Sequence, residues 1–359
     1  MKRFYSMRQL PHSPKSNRLE GLDLARFLAF VGMVIVNFKI VMGAEESGGT
    51  LNLLTTALEG RAAATFVILA GIGLGLAGKN GLDQTISVTV KRATFLLMIG
   101  LLNMTIFDAD ILHYYAFYFL FGVFLLPLGS RALFAVLVGL NIAFTAMILT
   151  LNYGAGWNWD NYSYSGFWTP DGFVRNLFFN GWHPVIPWLG FLLFGIILSR
   201  VSLADRAIQW KLLLGGMIAF VGAEGLSALH VAGLGPLDQE LAALVTTAPL
   251  PPMPLYTLAG IGAACVVVGG CLLVSDRLKA MGVLQFLTPA GRQTLTLYIA
   301  HILVGMGTLE ALGMLGGQTV AQAVGASLLF CFAAAVYALI WARWFKRGPI
   351  EALMRKLAG

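Results

Sequence analysis

The chain has 359 residues, 58% of them hydrophobic and only 11% charged, with a formal net charge of +7. Soluble domains carry roughly 25% charged residues, so this composition excludes a soluble protein of two or so domains. The basic excess lies between long apolar runs, which makes it a topology signal and leaves nothing for a nucleic-acid partner to explain.

The first 20 residues are polar and basic, and the first apolar run is full length with no small-residue cleavage site. A retained first helix is therefore expected in place of a signal peptide. In chain order, apolar runs at 23–42, 61–78, 91–107, 111–128, 131–151, 185–200, 211–230, 255–274, 291–312 and 319–345 predict about ten transmembrane helices. The runs are continuous and lack the alternation of a membrane barrel, so the fold class is all-α and polytopic. Of the 24 Lys and Arg residues, 21 fall in segments on one side, and the other side holds Lys39, Arg61 and Arg175. That bias predicts both termini inside. The expected organisation is a basic cytoplasmic tail over 1–22, a helical bundle over 23–345 and an amphipathic cytoplasmic surface helix over 346–359. In that last segment Ile350, Leu353, Met354 and Leu357 recur at helical spacing between Glu351, Arg355 and Lys356. Tight turns are expected at 108–110 and 129–130. Longer outer connections are expected at 43–60, at the Trp- and Tyr-rich 152–184 and at the Pro-rich 231–254. Cys265, Cys271 and Cys331 fall inside spans, where packing is their expected role.

Several polar residues sit where chemistry is expensive to place. Arg26 and Asn37 are eleven residues apart on the first helix, about three turns, so both project on one face roughly 16 Å apart. Either they line a wet cavity, or Arg26 pairs with Asp23 and Asn37 bonds a neighbouring helix. Asp110 and His113 are i, i+3 neighbours, an arrangement that sets up a general base; capping of the helix start by the aspartate is the alternative. His183 lies between Trp182 and Trp188 where the sixth span begins, as a second candidate base or as a belt residue at the interface. Glu224 and His301 lie inside spans, and Tyr298 is one turn from His301. Gly71 and Gly75 have the spacing of close helix packing. The five histidines show no metal-ligand spacing, and no metal site is expected.

The pattern Arg18…Leu22-Asp23-Leu24-Ala25-Arg26…Val36-Asn37 resembles the first helix of YeiB-like bacterial membrane proteins. The Asp108–Tyr115, Gly291–Thr296 and Arg347–Glu351 stretches are similar to other signatures of that family. The Trp182–Gly195 segment resembles bacterial relatives of heparan-α-glucosaminide N-acetyltransferase. Both groups belong to a superfamily of transmembrane acyltransferases, some of which move acyl groups from cytoplasmic acyl-CoA to sugars at the far face. The chain departs from those patterns in three places. One branch pairs the arginine with a histidine eleven residues on, where this chain has Asn37. The heparan enzyme follows such an asparagine with a histidine, but residues 38–60 contain none. The usual Leu-Arg-Gly is here Ala25-Arg26-Phe27.

The resemblance implies a bacterial cytoplasmic-membrane acyltransferase that takes an acyl group, acetyl first of all, from acyl-CoA to an extracytoplasmic glycan, lipid or similar acceptor. Arg26 and Arg292 would hold the donor's phosphates, and Asn37 would donate to the thioester carbonyl. His113, oriented by Asp110, or else His183, would take the acceptor's proton. Trp182, Trp188, Tyr298, His301 and Glu224 are the further polar or aromatic candidates for the substrate path. The competing reading is a proton-coupled transporter or flippase with Glu224 and His301 as its relay. The lipid bilayer, acyl-CoA and an acceptor are the expected partners, no cofactor is expected to be permanently bound, and homo-oligomer formation is left open.

Overall fold

A computed structural model describes residues 19–44, 48–79, 81–160 and 162–359; the basic tail expected over 1–22 lies outside the described residues as far as residue 18. Helix α1 spans Glu20–Val41 and is followed by a short α2, Thr50–Thr56, within the expected outer connection. Then come α3 (Arg61–Gly78), α4 (Leu82–Asn103), α5 (Leu112–Leu125) and α6 (Ser130–Thr150). The aromatic connection folds as a small antiparallel hairpin, β1 (Trp157–Asn158) with β2 (Ser163–Tyr164), then α7 (Pro170–Arg175) and a π turn, Asn176–Asn180. Helix α8 (Val185–Leu198) leads to α9 (Arg206–Leu234), a short α10 (Gln239–Ala243) and α11 (Pro254–Ala280). The ninth predicted span is broken: α12 (Leu284–Gly291), α13 (Thr294–Ala300), a π turn over His301–Met306 and α14 (Gly307–Ala311). Helices α15 (Val320–Trp341) and α16 (Pro349–Ala358) complete the chain.

The fold is an all-α polytopic membrane bundle. Among the described residues eight helical stretches are long and apolar enough to cross a bilayer, and the pair Pro170–Asn180 and Val185–Leu198, bent by 50°, makes a ninth if counted as one span. The predicted fourth span is the apolar α5, whose 14 residues rise only about 21 Å, short of the roughly 30 Å hydrocarbon layer. Helix α4 starts nine residues before the predicted span, because the polar stretch from Leu82 continues the helix beyond the apolar run. The expected loop at 231–254 begins late, since α9 runs on to Leu234, and it carries α10.

Helix α1 lies at the centre, packed by α3, α11, α12 and α15. Ala25, Phe30, Val34 and Phe38 are buried along it. By contrast Leu214, Ile218, Val221 and Leu229 of α9, and Leu329 and Phe332 of α15, are apolar and exposed, as lipid-facing positions must be. Helices α3 and α8 cross with Gly71 against the Leu192 carbonyl and Gly195 against that of Ile68, contacts that leave no room for a Cβ on either residue.

Polar contacts sort the connections into two ends. At one, Lys279 pairs with Glu20 at 2.8 Å, Lys79 donates to the Ser199 carbonyl and Arg200 donates to those of Leu126 and Leu128. At the other, Lys39 pairs with Glu59 at 2.9 Å and Arg61 pairs with Glu224 and donates to the Thr56 and Thr247 carbonyls. Each contact joins segments that the charge bias places on the same side.

Candidate active site

A cavity of about 860 Å³ opens at the Lys39 end of the bundle. Asn37 of α1, Ala109 and Ile111 of the α4–α5 turn, Trp182 and His183 before α8, Trp188 in it and Tyr298 of α13 meet there. The hairpin contributes Trp159, Asp160 and Tyr162 at the mouth. Asn180 fixes this aromatic connection: its amide donates to the Tyr153 and Ala155 carbonyls, its side-chain oxygen accepts from Tyr164 Oη at 2.8 Å, and its carbonyl accepts from Trp157 Nε1 at 2.6 Å. Trp157 then stacks on Trp159 with centroids 4.6 Å apart. Arg175 donates to Tyr164 Oη at 2.8 Å, which draws the phenol down against the upward push of burial. The aromatic side chains are therefore a built wall of the cavity, held by hydrogen bonds from below.

Asn37 has a histidine partner from the far end of the sequence. Its Nδ2 lies 2.9 Å from Nε2 of His301, which is fully buried. His301 Nδ1 faces the Tyr298 carbonyl, and a carbonyl only accepts, so Nδ1 carries the hydrogen and Nε2 accepts from Asn37. Two elements bring the pair together. Helix α1 points Asn37 inward, and the π turn that starts at His301 widens the backbone there and re-aims the side chains that follow it. One bond of the Asn37 amide is thus used behind the wall, and a second N–H is left for the cavity.

Asp110 and His113 are brought within 3.6 Å of each other, both wholly buried, which is longer than a hydrogen bond. The carboxylate is occupied elsewhere. It accepts from Asn103 Nδ2 at 3.0 Å, Leu112 N at 2.7 Å and Tyr298 Oη at 3.1 Å. The contact with Leu112 N is the capping role open to an aspartate at a helix start. Asp110 therefore positions Tyr298, which lines the cavity. The His113 ring lies against Tyr114, with neither nitrogen hydrogen-bonded among the described residues. The imidazole that lines the cavity is His183, whose ring meets Trp188 edge-on at 4.6 Å.

At the opposite end of α1, Asp23 is fully buried and takes both arginines: Arg26 Nη1 at 2.8 Å and Arg292 Nε at 3.0 Å. Gly291 packs on the Asp23 carbonyl so closely that a Cβ would collide, and this contact lets Arg292 reach α1. Two guanidiniums on one carboxylate leave one positive charge uncompensated within the triad. Glu224 is remote from His301. It pairs with Arg61 and accepts from Thr247 Oγ1 at 2.9 Å, and among the described residues no hydrogen bond joins the two groups.

Lys39 and Glu59 also line the cavity, and sequence reasoning assigned neither to it. Lys39 lies two residues beyond Asn37, and that proximity was the available signal.

Residues 18–229, more than half of the chain, match the family described as heparan-alpha-glucosaminide N-acetyltransferase, catalytic. Residues 204–359 match a family described as a protein of unknown function (DUF418). No curated protein and no solved structure matches the chain.

Proposed function

The chain belongs to the catalytic family of heparan-α-glucosaminide N-acetyltransferase, and from that premise we propose that it transfers an acetyl group from acyl-CoA at the basic end of the bundle to an acceptor in the cavity at the other. The observation that carries this reading is the convergence of Asn37, His183 and Tyr298 on one cavity, with His301 bonded behind Asn37. The setting proposed is the bacterial cytoplasmic membrane, with both termini inside.

The donor's phosphates meet Arg26 and Arg292, whose shared aspartate leaves a net positive charge on the triad. The acyl arm runs along α1, whose inward face spans about 16 Å between Arg26 and Asn37. In the transfer step the acceptor's oxygen or nitrogen attacks the thioester carbonyl carbon and the C–S bond breaks. The His183 imidazole takes the proton from the attacking atom and returns it to the departing thiolate. Asn37 donates its second N–H to the carbonyl oxygen as negative charge builds there. His301, fixed by the Tyr298 carbonyl, orients the amide, and Tyr298 is fixed in turn by Asp110. The Trp159, Tyr162 and Trp182 rings wall the acceptor's side.

Thiol release from acetyl-CoA by the full-length protein in liposomes, with and without candidate acceptors, tests the proposal. Release that His183→Ala lowers by about 10²- to 10⁴-fold is expected. Absence of both release and acyl-CoA binding in correctly folded protein would overturn it.

A further inference from the structure

One cluster of charge away from the cavity is left without a counterpart. Arg92 stands ten residues into α4, and its Nε is buried with no hydrogen-bond partner. Helix α16 packs across α4 at this level, where a Cβ on Gly359 would stand 3.7 Å from Val88 Cγ2, one turn before Arg92. Arg355, one turn earlier in α16, and Arg347, just ahead of that helix, are close enough for their charges to act on Arg92. Among the described residues none of the three arginines forms an ion pair.

No acid is at hand to neutralise them. Glu351, the one carboxylate of α16, is committed to α13, where it accepts from Leu295 N at 2.8 Å, Thr296 N at 3.1 Å and Thr296 Oγ1 at 2.5 Å. Asp83 is nine residues back along α4, about 14 Å. The first 18 residues contain no Asp or Glu. Three guanidiniums held together by the packing of two helices repel one another unless an anion sits among them. The planar guanidinium fork matches the oxygens of a phosphate.

We propose that Arg92, Arg347 and Arg355 form a binding site for a phosphate group at the junction of α4 and α16. The phosphate has two sources: the headgroup of an anionic phospholipid, or a soluble phosphate ester. The surface beside the arginines favours the lipid. Leu353 and Leu357 of α16 are apolar and exposed, so charge borders an apolar face as it does on a helix lying in a headgroup layer. The site goes beyond acetyl transfer and does not depend on it.

The test uses the full-length protein and reads binding, not turnover. In the first arm, native mass spectrometry follows phospholipid retained after reconstitution with phosphatidylglycerol or with phosphatidylcholine. In the second, delipidated protein in uncharged detergent is titrated with coenzyme A and with inorganic phosphate. Retention of phosphatidylglycerol over phosphatidylcholine is expected, weakened about tenfold in Arg347→Gln/Arg355→Gln, the loss of one charge-assisted contact. Arg92→Gln should act in the same direction. Arg347 and Arg355 are exposed, so the double variant keeps the test valid if Arg92→Gln fails to fold, as its thermal unfolding will show. Arginine-dependent binding in the second arm alone supports the site and assigns it to a soluble ester. Binding that ignores the arginines in both arms overturns the proposal.

Discussion

Asn37 and His301 show how one hydrogen bond ties two distant residues into a single unit. Removing either partner leaves the other buried and unsatisfied, at a cost of about 1–3 kcal/mol. Asn37→Ala and His301→Ala should therefore each lower the thermal midpoint and the rate of thiol release. The double variant should lose less than the sum of the two, a coupling of about 0.5–3 kcal/mol in a double-mutant cycle. Strict additivity would mean that the two side chains act separately. The histidines offer a second comparison. His183 lines the cavity and His113 is sealed away from it with both nitrogens unpartnered. His113→Phe, which replaces a buried ring by an apolar one, should cost little in turnover, whereas His183→Phe should abolish it. Loss of turnover in folded His113→Phe protein would move the base assignment back to His113.

Helix α13 depends on a residue outside it. Its seven residues carry Tyr298 and precede His301, and Glu351 of α16 satisfies the N–H groups of Leu295 and Thr296 that no helical bond can reach. Glu351→Ala should destabilise the bundle by about 1–3 kcal/mol, visible as a fall in thermal midpoint. It should also slow thiol release, because the element that carries the site loses its anchor. Glu351→Gln, which keeps an acceptor oxygen, should recover part of both effects. The crossing of α3 and α8 makes a different demand. Gly71→Val places side-chain atoms on the Leu192 carbonyl, and the expected result is protein that fails to insert or that aggregates in detergent, read by size-exclusion chromatography. At this scale the sequence was legible where apolar runs are long. It was misleading at α4, whose polar first turns are helical, and at 291–312, which breaks into four pieces. Hydropathy reports what faces lipid, and neither a helix running on into water nor a π turn inside a span changes it.

At the scale of the whole molecule, the two ends of the bundle do different work, and acceptor chemistry needs them on opposite faces of a membrane. Single cysteines at Ser165 and Gly359, in a variant whose three buried native cysteines are replaced, should react with an impermeant thiol reagent from opposite sides of sealed vesicles. Labelling of both from one side would overturn the inside placement of the termini. The separation of Glu224 from His301 bears on transport: with each group bonded to its own partner, no proton path joins them among the described residues. Glu224→Gln should weaken the packing of the outer loop at Thr247 and leave no pH-gradient-coupled uptake to lose.

Sequence by itself determined the bundle, its approximate spans and the charge asymmetry between its ends, because burial in lipid and the positive-inside bias are written residue by residue along the chain. It also marked Arg26, Asn37, Asp110, His183 and Tyr298 as costly residues in a membrane. Which of them meet was decided only by the tertiary structure. The histidine missing from residues 38–60 arrives from position 301, Asp110 turns to Tyr298 instead of His113, and Asp23 gathers Arg26 and Arg292. A hydrogen bond is fixed by distance and direction between side chains, and helices far apart in sequence acquire both only when they pack.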